Sequence, residues 1–157
     1  MLLCLLRHAE AEIEAASDRA RRLTAKGEDQ AARVGKFCRK HGIEPPVILT
    51  SPVTRALQTA KLVAESLSEA ELIEVAWAAC GMEPSTAMEE LKAFGKFPVV
   101  MLVGHQPDLG YLGAVLLDMN NVQSLHVRKA LLAGIDVSRG LQAGRGELEF
   151  FVPAKLM

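Results

Sequence analysis

Aromatic residues make up only 4% of this 157-residue chain, so its core must rest on aliphatic packing. Cysteine is scarce too. Cys4, Cys38 and Cys80 are widely spaced, form no CxxC pair and are odd in number, which argues against a disulfide framework. They are expected to be reduced thiols buried as small apolar groups in a cytoplasmic protein. No apolar run approaches the ~20 residues that span a bilayer. The opening MLLCLL is too short for the apolar part of a secretory signal, and neither a basic stretch nor a small-residue cleavage site flanks it. Neither sign of charge dominates: 18 basic and 19 acidic residues are scattered along the chain. There is no basic stripe for nucleic acid and no acidic, disordered tail. A monomer that binds neither membrane nor nucleic acid is the expectation.

Several catalytic signatures are also missing. There is no GxSxG elbow, no GxxxxGK[ST] loop and no HExxH pair, and no cysteine precedes an arginine at the spacing of a thiol phosphatase. The four histidines lack the spacing of metal ligands, and no cofactor is expected.

What is present is an alternation of apolar runs and amphipathic stretches. The length suits one domain over 1–157, in which roughly 70% of the unfolded surface is buried. Leu2–Leu6 reads as a buried strand, and residues 9–24 as a long polar loop. A helix capped by Thr24 and stopped at Gly42 follows, then a strand at Val47–Leu49. Ser51 and Pro52 look like the cap and first residue of a second helix, whose apolar face runs from Val53 to Leu67. A third strand is expected at Leu72–Val75, a helix over 84–95, a fourth strand at Pro98–Val103 and a helix from Pro107. Ala130–Val137 and Glu147–Val152, joined through a glycine-rich turn, predict an antiparallel hairpin. The fold class is therefore α/β: a three-layer sandwich with a mostly parallel central sheet and helices on both faces.

On this layout the notable polar residues gather at strand ends. Arg7 and His8 follow the first strand, Arg55 lies in the first turn after the second, and His105 follows the fourth. Ligands of open α/β sheets bind beyond the carboxyl ends of the strands, so all of these should share one edge. An arginine beside a histidine disfavours imidazolium and keeps the ring neutral and nucleophilic near neutral pH. Two arginines and a second histidine facing it would suit a dianion, with helix N-termini adding backbone donors. Such a set meets the needs of in-line phosphoryl transfer to a histidine.

LLRHAEAE, LTSPVTRALQTA and LVGHQPDLG resemble, in order and spacing, the signature segments of the histidine phosphatase superfamily, which has a phosphoglycerate mutase-like fold. The short length and the AASD…RRLTAKG stretch are similar to its smallest members, the SixA-type phosphohistidine phosphatases. Ala9 stands where the wider superfamily usually has glycine. The resemblance implies that His8 becomes phosphorylated, that Arg7, Arg55 and His105 bind and polarise the phosphoryl group, that Arg21 contacts phosphate or substrate, and that the backbone of Gln106 adds a donor. It further implies a phosphorylated protein substrate, a histidine phosphotransfer domain, with phosphate or other oxyanions able to enter the pocket. Larger relatives that cleave phosphate esters use an acid after the third strand, and Glu83 lies in that region. A phosphohistidine can dispense with it, because imidazole leaves neutral near its pKa of roughly 6.5.

Two rival readings stand beside this one: a small-molecule phosphatase or mutase using Glu83 as acid, and a non-catalytic module that binds phosphoproteins. Structural roles compete as well. His41 complements a helix C-terminus, His126 has no evident partner, and Glu10, Glu12 and Glu14 are most simply a solvated loop.

Overall fold

The computed structural model describes residues 1–157 apart from the side chain of Val122. Its elements run β1 (Leu2–Arg7), α1 (Ala25–Lys40), β2 (Val47–Thr50), α2 (Thr54–Ala64), β3 (Glu71–Glu74), α3 (Pro84–Leu91), β4 (Val99–Gly104), α4 (Asp108–Leu116), β5 (Leu131–Asp136) and β6 (Glu147–Pro153). All six strands join one sheet in the order β3-β2-β4-β1-β5-β6. β1 to β4 are mutually parallel, and β5 and β6 form the antiparallel hairpin beside β1.

Period-two alternation sorts the central strands into two cores. Leu3, Leu5, Val47, Leu49, Val100 and Leu102 face α3 and α4, packing on Leu91, Leu109 and Leu112. Cys4, Leu6, Ile48, Met101 and Val103 face α1 and α2, packing on Val34, Ala60 and Val63. The continuous apolar runs arise because each strand feeds both layers. Every such leucine contributes roughly 1.5–3 kcal/mol by leaving water.

Local signals account for α1. Thr24 Oγ1 accepts from the Gly27 N–H at 3.1 Å, and Gly42, at φ +67°, turns the chain away after the last turn. Gly27 also permits a close approach, since a Cβ there would lie 1.9 Å from the Glu10 carbonyl oxygen. The stretch 9–24 is better organised than a free loop. It holds a 3-10 turn at Asp18–Ala20 and an antiparallel bridge between Ala11 and Leu23.

Three expectations need correction. α2 begins at Thr54 with Val53 at its cap position, not at Pro52 with Ser51 as cap. The Ser51 N–H donates to the Val103 carbonyl at 3.0 Å, which keeps Ser51 in register with β4 and outside the helix. Cys80 is exposed, whereas Cys4 and Cys38 are buried as foreseen. Burial pushes the Cys38 thiol up to about 12 and the Cys4 thiol higher still. The helix expected over 84–95 is α-helical only to Leu91 and tightens into a 3-10 turn at Lys92–Phe94.

Candidate active site

β1, β2 and β4 end side by side, with Arg7 opposite Gly104 and Thr50 opposite Val103. The sheet register therefore delivers Arg7, His8, Ser51 and His105 to one edge, and the first turn of α2 adds Arg55. His8, Arg55 and His105 are almost wholly buried, at 6%, 5% and 3% exposure. Polar side chains are buried at such cost only where partners compensate them.

Those partners fix the state of His8. Its Nδ1 lies 2.7 Å from the Ala9 carbonyl oxygen, which can only accept, so Nδ1 carries the proton. Nε2 is left with a lone pair, and Arg55 Nε donates to it at 3.2 Å. The His8 and His105 rings lie 5.3 Å apart, tilted by 56°. Burial above all holds His8 down to about 3, with His105, Arg55 and Arg7 adding repulsion and the Ala9 carbonyl opposing it. His105 is held down to about 4 by burial and then by Arg55. Both rings are neutral at physiological pH.

Ser51 sets the orientation of His105. Its Oγ accepts from the Val53 N–H at 3.3 Å and lies 2.8 Å from His105 Nε2. With the hydroxyl donating to Nε2, the proton of His105 sits on Nδ1. Among the described residues His105 Nδ1 and Arg7 Nε are buried without a hydrogen-bond partner. Arg7 is anchored at its far end, NH1 donating to the Val127 carbonyl at 3.0 Å. Buried donors without partners are costly in an isolated protein, and an anion is the ligand that would satisfy them.

The remaining candidates lie further out. Arg21 is in the loop, donating from Nε to the Glu12 carbonyl and from NH1 to Asp18 Oδ1 at 2.9 Å. It reaches the site through Asp18, since Arg55 NH1 and NH2 donate to the Asp18 carbonyl at 2.7 Å and to its Oδ2 at 3.1 Å. The Gln106 side chain donates to the Leu125 carbonyl at 3.4 Å and so ties down the segment after α4. Glu83 is exposed at the cap position of α3, with no cap hydrogen bond. The buried carboxylate of that neighbourhood is Asp108, which accepts from the Gly81 N–H at 2.9 Å. Asp18 and Ser51 are the supporting residues that sequence reasoning missed. The usable signals were an aspartate set among Arg19, Arg21 and Arg22, and a serine at the end of a strand. Among the described residues no group of three or more His, Cys, Asp or Glu is placed to hold a metal ion.

Residues 3–99, which include Arg7, His8 and Arg55, match the family model of the histidine phosphatase superfamily (branch 1). The chain belongs to that superfamily. It is 32% identical over 120 residues to phosphohistidine phosphatase SixA of Escherichia coli K12, covering 74% of each chain. It is also 32% identical over 143 residues to an uncharacterized protein of Picosynechococcus, covering 86% of this chain and 84% of the other. The superfamily fold is reproduced in a structure of the protein histidine phosphatase SixA complexed with tungstate, at a TM-score of 0.89 and 23% identity over 99% of each chain. Among the described residues no helix is long and apolar enough to cross a membrane.

Proposed function

We propose that this member of the superfamily is a metal-independent phosphohistidine phosphatase that works through a covalent phospho-His8. Its preferred substrate would be the phosphohistidine of a phosphotransfer protein, in the cytoplasm, where the unpaired Cys4 and Cys38 stay reduced. The observation that carries the reading is the Nδ1–H of His8 on the Ala9 carbonyl, which leaves Nε2 as the basic atom beneath Arg55.

In this scheme the Nε2 lone pair attacks phosphorus in line with the bond to the substrate imidazole. That P–N bond breaks, and its electron pair returns to the leaving nitrogen. With the other ring nitrogen protonated, the imidazole departs neutral, so no strong acid is needed. Arg7, Arg55 and the Nδ1–H of His105 stabilise charge on the equatorial oxygens. The positive charge that develops on His8 is shared through Nδ1–H with the Ala9 carbonyl. Water then attacks phosphorus, the bond to Nε2 breaks, and inorganic phosphate leaves. Arg21 acts through Asp18, and the backbone N–H of Gln106 is a further phosphate donor in this scheme.

A phosphate ester would require a proton donor for its alkoxide. Glu83, exposed and unbonded to the site, gives that alternative little support. The deciding experiment is turnover in chelator, with a phosphohistidine-bearing protein beside a panel of phosphate esters, for wild type, His8→Ala and Glu83→Gln. Phosphate release from the protein that vanishes in His8→Ala and persists in Glu83→Gln supports the proposal. Ester turnover that vanishes in Glu83→Gln favours the small-molecule enzyme. Binding of phosphoprotein without any turnover by wild type would leave only a binding module.

A further inference from the structure

A groove of about 470 Å³ opens beside the candidate site, between residues 124–128 and the end of β6. Phe151, Pro153 and Leu156 give it an apolar floor over the buried Leu131, and His126, Arg128 and Lys155 line its rim. No aspartate or glutamate is among its lining residues. Arg128 and Lys155 are exposed, and neither has a carboxylate partner among the described residues. In a chain of net charge −1 this is a local concentration of unpaired positive charge over apolar surface. Leu156, 70% exposed, is an apolar side chain that nothing in the monomer covers well.

The groove is continuous with the site. Leu132 pairs with Leu6 across the antiparallel β1–β5 ladder, so Leu131 stands level with the strand end that supplies Arg7 and His8. Val127, between the rim residues His126 and Arg128, accepts the hydrogen bond that anchors Arg7. One wall of the groove is therefore the segment that holds a phosphate-site arginine in place.

We propose that this groove docks the phosphorylated protein substrate through an acidic amphipathic helix close to its phosphohistidine. The inference rests on the phosphohistidine reading above and adds the chemistry of the partner. An apolar stripe would cover Phe151, Pro153 and Leu156, while carboxylates on either side would meet Arg128 and Lys155. A free phosphorylated small molecule needs only the buried pocket, so the groove separates protein from small-molecule substrates.

The test uses paired synthetic helical peptides carrying one phosphohistidine, identical but for glutamate or lysine on the polar face, with phosphoramidate as the small-molecule control. In Arg128→Glu/Lys155→Glu, kcat/KM for the glutamate peptide should fall roughly tenfold or more, mainly through KM and most strongly at low salt. Phosphoramidate hydrolysis should be unchanged, and Arg128→Gln/Lys155→Gln should fall in between. Wild type should also prefer the glutamate peptide to the lysine one. Equal turnover of the glutamate peptide by wild type and the charge-reversed variant, or no preference between peptides, overturns the docking proposal. Should wild type hydrolyse neither peptide nor phosphoramidate, the phosphohistidine reading fails by itself. The groove is then judged by fluorescence anisotropy of the unphosphorylated glutamate peptide: binding lost on charge reversal sustains it, and equal binding overturns it.

Discussion

Asp18 holds Arg55 at two points, through its carbonyl oxygen at 2.7 Å and its Oδ2 at 3.1 Å. A guanidinium has a fixed fork of donors, so tying NH1 and NH2 to the loop determines where Nε can aim. It aims at His8 Nε2. Asp18 is itself steadied by Arg21, whose hydrogen bond, followed by that of Arg55, keeps the carboxyl below its ordinary range. A buried arginine is thus oriented by an aspartate side chain that is 61% exposed.

Asp18→Asn is therefore expected to lower kcat/KM for a phosphohistidine substrate roughly tenfold, the order of loss that follows small misplacement of a positioning group. Stability should change by less than about 1 kcal/mol, because an ion pair with so exposed a partner is screened by water. Parallel turnover assays and urea melts check the pair of outcomes. A large loss of stability with unchanged activity would show that the contact only pins the loop.

The neutral state of the two buried histidines has a pH signature. His8 is held at about 3 and His105 at about 4 in the folded chain, against roughly 6.5 when unfolded. Between those limits the unfolded chain binds more protons than the native one, so stability rises with pH through that window. Acidification from about pH 6.5 should accordingly weaken the fold, with the loss complete only below the folded values. Ring NMR signals of His8 and His105 should stay flat from about pH 8 to about pH 5, and phosphate or tungstate should raise both pKa values by favouring the cationic rings. A midpoint near 6.5 for His8 in the free protein would contradict this account of its surroundings.

Gly27 couples the first helix to the site. A Cβ at this position would stand 1.9 Å from the Glu10 carbonyl oxygen, and that carbonyl accepts from the Thr24 N–H at 3.1 Å. Gly27→Ala must push helix and loop apart just beyond His8 and Ala9, at an expected cost of roughly 2–4 kcal/mol. Gly42→Ala offers the contrast. Its φ is +67° but no neighbour lies within 4 Å, so it should cost about 1 kcal/mol and leave turnover intact. Chemical denaturation with activity measured in parallel separates the two.

The layer architecture and the strand ends were legible in the amino-acid order, because buried parallel strands are continuous apolar runs and their carboxyl ends are where chemistry collects. Arg7, His8, Arg55 and His105 were each found from position relative to a strand. One boundary, at the start of α2, failed because a residue served the site. Ser51 resembles a helix cap, yet its backbone follows the sheet and its hydroxyl serves His105.

Sequence alone determined the fold class and the residue types at the sheet edge, through periodicity and local capping. Only the tertiary structure decided which nitrogen of His8 is free, that Asp18 orients Arg55, and that a basic-rimmed apolar groove adjoins the site. Apart from the contact of His8 with its neighbour Ala9, those features depend on residues far apart in the chain, 37 positions for Asp18 and Arg55 and 120 for Arg7 and Val127. No local pattern encodes such distances, because they are set by the register of the sheet and the path of the loops above it.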